Sequence, residues 1–179
     1  MRGLRRKGRI ERTGFELYGC AVAAARAPWF YARLGVPDTL DGRFDMVGLL
    51  VWLTIRELRR RPDPGPALAQ AVFDAMFSDM DLNLRELGVG DLSVGKKVKA
   101  MWEALHGRAA AYEAAAVTSS DPQALQAALA RNVWRAATAP GAAELAEWVR
   151  RQIPALASVP NEALFAGRIV FLAPQEVPA

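Results

Sequence analysis

Turns carrying proline or glycine recur along this chain, at Val36 to Gly42, Pro62 to Pro66, Gly88 to Gly90, Ser119 to Pro122 and Pro140 to Gly141. They cut it into stretches of helical length. Between the turns, apolar residues return every three or four positions, and runs of alternating β-branched residues are nearly absent. Alanine, the strongest helix former, occurs 34 times. The pattern predicts an all-α fold, a compact single-domain bundle of six or seven helices.

The first helix is expected from about Gly14, kinked or restarted at Pro28, where a ring in place of an N–H interrupts the ladder. Trp29 to Leu34 continue it and Gly35 closes it. The second, about Gly42 to Arg60, has Asp41 as expected N-cap and sets Phe44, Val47, Val51, Ile55 and Leu58 on one core-facing stripe. Arg56, Arg59, Arg60 and Arg61 suit the negative end of its dipole. The third, about Pro66 to Leu87, has an apolar face wide enough to place it centrally. Asp91 or Ser93 is the expected cap of a fourth helix reaching about Val117. A fifth starts after Ser119-Ser120-Asp121-Pro122 and a sixth after Pro140-Gly141. Pro160-Asn161-Glu162 opens a last short turn, and Arg168 to Leu172 alone has some strand character. Residues 1–13 are expected to be a disordered basic leader, 14–172 the helical domain and 173–179 a tail.

The formal charge of +4 is unevenly distributed. Six basic residues (Arg2, Arg5, Arg6, Lys7, Arg9, Arg12) stand against Glu11 in the first dozen, leaving seventeen basic and eighteen acidic residues in the rest. A nearly neutral body whose aromatics sit at core spacing does not read as a DNA-binding domain. The basic arm suits anionic lipid, ribosomal RNA or solvent. One cysteine, Cys20, and one histidine, His106, leave neither an intramolecular disulfide nor a Cys/His zinc site. The most apolar run, Met46 to Ile55, is half the length needed to cross a bilayer as a helix. A cytoplasmic protein, with peripheral contact at the inner face of the plasma membrane through the basic arm, is the expected localisation.

Catalytic instruments are few. Gly90 to Lys97 has P-loop spacing, but Lys97 fills the hydroxyl position and the preceding segment is helical, so a helix start is the better reading. Asp74, Asp79 and Asp81 could hold Mg²⁺ for isoprenoid diphosphate chemistry on a helical scaffold, which is the alternative function. Asp79 and Asp81 diverge by about 200° around a helix, which favours an exposed acidic face. His106 has no Ser or Cys nucleophile signature near it. The expectation is a non-enzyme with no cofactor and no metal.

Three stretches carry a resemblance: Leu34-Gly35-Val36-Pro37-Asp38-Thr39-Leu40-Asp41-Gly42-Arg43-Phe44-Asp45, Phe77-Ser78-Asp79-Met80-Asp81, and Leu84-Arg85-Glu86-Leu87-Gly88-Val89-Gly90-Asp91. With the paired lysines of Val94 to Met101, Gly107-Arg108 before Tyr112, and Trp148-Val149-Arg150-Arg151-Gln152-Ile153, they resemble the ubiquinol–cytochrome c chaperone family from about Phe15 to Phe171. The resemblance implies an all-helical assembly factor for the cytochrome bc1 complex, in a compact bacterial form. It implies newly made cytochrome b or a related hydrophobic membrane protein as client, a small partner protein, and action near the ribosome. Polar residues inside the most recognisable stretches are the expected partner-binding surface: Asp38, Asp79, Asp81, Arg85, Asp91, Lys96, Lys97, Lys99 and Arg108. A hydrophobic client further predicts an exposed apolar groove.

Overall fold

A computed structural model describes residues 2–86 and 88–173, without the side chains of 2–4, 91 and 92. Seven α-helices follow one another among them: α1 (Arg2–Ala25), α2 (Leu40–Arg59), α3 (Gly65–Glu86), α4 (Asp91–Glu113), α5 (Ala124–Val133), α6 (Ala142–Ala157) and α7 (Asn161–Phe165). Trp29–Arg33 forms a π-helical turn after Pro28, and Ala114–Thr118 extends α4 by another. The restart at Pro28 thus replaces a continuous first helix.

The helix starting at Arg2 corrects the expected disordered leader and the expected start near Gly14. Arg, Lys and Glu are good helix formers, and the segment gains partners: Lys7 pairs with Glu11 one turn on, and Arg6 reaches Asp63 in the α2–α3 connection. That second contact ties the basic half of α1 to the end of the bundle where α2 stops and α3 begins. The expected tail lies outside the described residues from 174 onward.

The centre of the bundle is α2, not α3 as its wide apolar face suggested. It packs against α1, α3, α4, α5 and α6. Its buried residues run almost continuously from Leu49 to Thr54, all around the helix. A helix surrounded by neighbours has no polar face to keep. Thr39, rather than Asp41, caps it by accepting from the Gly42 N–H at 3.2 Å, which leaves Asp41 in the first turn, where a carboxylate favours the positive end of the dipole. Gly42 is needed there, since a Cβ would stand 2.0 Å from the Pro37 carbonyl oxygen. Gly14 likewise lets α1 lie against α3, where a Cβ would meet that of Ala71 at 2.5 Å.

Gly90 takes the cap position of α4 without a side-chain bond, in place of the expected Asp91 or Ser93. Before α5, Ser119 and Asp121 accept from the backbone N–H groups two residues on, so the start signal is used and the regular helix begins at Ala124. Residues 168–172 form no strand, because no extended neighbour lies beside them. Buried Gln152 substitutes for one: its Oε1 accepts from the Leu172 N–H at 3.0 Å while its Nε2 donates to the Leu172 carbonyl at 3.1 Å. Trp148 Nε1 donates to the same carbonyl. Arg61, expected to serve its own helix end, instead pairs with buried Glu57 and donates to the last carbonyls of α6 at Leu156 and Ala157.

Candidate functional site

Helix α4 lies over α2 and α3, its N-terminal half near the start of α2 and its C-terminal half near the end of α2, and an opening lies beneath each half. The larger opening is a groove of about 660 Å³. Val22 of α1, Phe44 and Val47 of α2, Met76, Met80 and Leu84 of α3, and Met101 of α4 give it an apolar lining. Phe44 and Val47, expected in the core, are half-buried and face this groove because the core side of α2 is taken by its other neighbours. Three methionines in one lining suit a surface that adapts to varied apolar shapes. Around this lining stand Arg26, Asp41, Arg43, Asp79, Lys97, Arg108 and Arg135.

Beneath the polar edge sits a buried carboxylate. Asp45 is 1% exposed and pairs through Oδ1 with Arg108 Nη1 at 2.5 Å and through Oδ2 with Arg135 Nη1 at 2.6 Å. Burial pushes its pKa above the ordinary carboxylate range, and the two guanidinium groups oppose that rise. Arg135 follows the end of α5 in the left-handed region, φ 57°, a conformation that costs a non-glycine residue about 1 kcal/mol. Its side chain returns to Asp45 and to the Asn132 carbonyl, and these contacts hold the strained turn. The network therefore fixes the end of α5 against α2 and α4 at the edge of the groove.

On the opposite wall Tyr18 donates its hydroxyl to Asp79 Oδ2 at 2.7 Å. Burial, then the hydrogen bond and charge of Asp79, push the Tyr18 pKa up, and burial with the nearby Asp45 does the same for Tyr112. Above about pH 10 the unfolded chain loses protons that the folded tyrosines keep, so stability must fall as pH rises. Thermal melts followed by circular dichroism are expected to show a lower midpoint at about pH 11 than at about pH 9, with a smaller drop in Tyr18→Phe.

The expected site residues separate into two groups. Asp79, Lys97 and Arg108 come together around the groove, and Asp38 adjoins it through a 2.6 Å bond from Arg43 Nε. Asp81 pairs with Arg85 on the outer side of α3, Lys99 pairs with Glu103, and Lys96 is exposed outside the lining. Asp91 opens α4, and its side chain lies outside the description. Arg26, Arg43, Asp45 and Arg135 complete the site and were not singled out from the sequence. Asp45 carried a usable signal, since it stands three residues after buried Gly42 and four before buried Leu49 and so shares the inward side of α2.

The carboxylates of α3 do not converge. Asp74 accepts from Gln70, Asp79 from Tyr18, and Asp81 from Arg85, and among the described residues no three His, Cys, Asp or Glu side chains are grouped to hold a metal ion. His106 bonds the Trp102 carbonyl and lies against the Trp102 and Phe73 rings, a packing role. Gly90 to Lys97 opens α4 after a helix and a turn, without the strand a phosphate loop requires. What the geometry offers is a surface that can hold an apolar segment and orient its polar flanks.

The family model described as Ubiquinol-cytochrome C chaperone matches residues 32–171. The chain belongs to this family. Chaperone family relatives include ubiquinol-cytochrome-c reductase complex assembly factor 1 of Xenopus laevis, 24% identical over 168 residues, covering 92% of this chain and 83% of that protein. The Homo sapiens assembly factor 1 is 26% identical over 160 residues, covering 88% of this chain and 53% of the human protein, so the chain spans about half of that relative. Among solved structures, the crystal structure of the Cbp3 homolog from Brucella abortus superposes with a TM-score of 0.85 at 37% identity, covering 99% of this chain and 98% of that one. The family fold is thus this helical bundle, and the chaperone family match includes the groove residues on α2, α3 and α4.

Proposed function

We propose that this assembly chaperone acts on the cytochrome bc1 complex by holding a hydrophobic membrane-protein client, newly made cytochrome b, in the groove between α1, α2, α3 and α4. The observation that carries the reading is the Met-rich apolar lining enclosed by charged side chains, in a chain of this family. One face of an apolar client helix would bury its side chains against Phe44, Met80 and Met101. Exposed Arg26 and Lys97 would meet acidic or carbonyl groups at its ends. The role is binding rather than catalysis.

No helix among the described residues is long and apolar enough to cross a membrane. Peripheral contact would come instead from the exposed basic residues Arg5, Arg6, Lys7, Arg9 and Arg12 of α1. Deleting the gene and measuring assembled bc1 complex by native gel and heme spectrum tests the function. Loss of complex with normal cytochrome b message is expected. Normal amounts of complex and of cytochrome b would contradict it.

A further inference from the structure

The second opening along α4 is separate from the groove and has a different character. It is a pocket of about 460 Å³ between the C-terminal halves of α2 and α4, in the size range of small-molecule sites. Val51, Trp52, Ile55, Phe73, Leu105 and Ala109 line it with apolar surface. Its edge carries Arg56, Arg59 and Arg60. Arg56 is engaged by Glu113 at 3.0 Å, whereas Arg59 and Arg60 are exposed and form no ion pair with the described residues. An apolar pocket edged by two uncommitted guanidinium groups is complementary to an amphiphile with an anionic head, and a guanidinium fork matches phosphate oxygens. The surrounding charge agrees: the Arg6 to Asp63 contact brings the basic half of α1 to this same end of the bundle.

We propose that this pocket binds one acidic phospholipid, an acyl chain entering between α2 and α4 and the headgroup phosphate resting on Arg59 and Arg60. The lipid would anchor the arginine-rich end of the bundle at an anionic bilayer and leave the groove, under the other half of α4, turned toward the emerging client. The site does not depend on what the groove holds, so its failure leaves the client reading untouched.

Calorimetric titration of the full chain with a short-chain phosphatidylglycerol below its micelle concentration tests the proposal. Saturable one-to-one binding is expected, about tenfold weaker for the matching phosphatidylcholine and for glycerol 3-phosphate alone. The double substitution Arg59→Glu and Arg60→Glu is expected to weaken binding about tenfold by removing the headgroup contact. Ala110→Trp, an exposed residue on the pocket edge, is expected to do the same by blocking chain entry, with Ala110→Leu in its place should the larger ring disturb folding. Absence of saturation would overturn the proposal. So would equal binding of glycerol 3-phosphate, which would reveal a surface anion site, or binding that survives either the charge reversal or the blocked entry.

Discussion

Glutamate at Leu84 and Met101 is expected to abolish the chaperone's contribution to bc1 assembly while leaving the fold in place. Both side chains are half-buried on facing walls of the groove, one from α3 and one from α4, so each substitution sets a carboxylate where an apolar client would sit. Burying an unpartnered carboxylate beneath a bound segment is strongly unfavourable, and a loss of about 2 kcal/mol per central contact corresponds to about 30-fold in affinity. In the free protein the same carboxylates can turn to solvent, so the thermal midpoint should move by only a few degrees, roughly what 1 kcal/mol produces in a chain of this size. Leu82→Glu is the control. Leu82 is 55% exposed on α3 but outside the groove, and the same charge placed there should leave complementation intact. Complementation of a deletion strain, read as assembled complex, separates the two positions.

The largest stability effect is expected at the buried ion triad. Arg108→Ala removes the less exposed of the two cations that neutralise Asp45, whose side chain is 0% exposed. Arg135 remains, but its side chain is 50% exposed and its attraction is correspondingly screened. Leaving a buried carboxylate underpaired costs about 3 kcal/mol, which in a chain of this length lowers the midpoint by about 6–12 °C. Asp45→Asn in the Arg108→Ala background should recover part of that loss, because it removes the charge that was left unpaired. The resulting coupling of about 1 kcal/mol or more is measurable by a double-mutant cycle in urea. An Arg108→Ala midpoint within about 2 °C of the parent would mean that solvent reaches Asp45 and that the ion triad does not hold the edge of the groove rigid.

Much of this fold was legible because its elements are set by local rules. Alanine-rich amphipathic segments and Pro/Gly turns define the helices, and short-range chemistry such as Thr39 or Asp121 places their ends within a few residues. What local rules do not carry is which face of a helix meets which neighbour. The stripe Phe44, Val47 and Val51 reads as core by periodicity, yet two of the three line the groove, because α2 is enclosed by helices that come later in the chain. The basic residues 2–12 read as a tail by charge, while the contact of Arg6 with a residue far along the chain shows that part of this segment is tied to the bundle.

The site divided in the same way. Asp79, Lys97 and Arg108 stood out as polar residues in recognisable stretches and lie at the groove, but Asp81 and Lys99, on the same helices as Asp79 and Lys97, are committed to partners one turn away. Asp45 and Arg135 are far apart in sequence, and only the packing of α5 on α2 and α4 brings them together. An aspartate on the inward side of a helix announces that a cation must be found. It does not say which one.

The groove is proposed to hold newly made cytochrome b. A photocrosslinking residue placed at Met101, with Leu82 as the comparison position, can be activated in cells during labelling of new proteins. A cytochrome b adduct is expected at Met101, forming within minutes of synthesis and absent at Leu82. Equal adducts at both positions, or a Met101 adduct lacking cytochrome b in cells that assemble the complex normally, would contradict it.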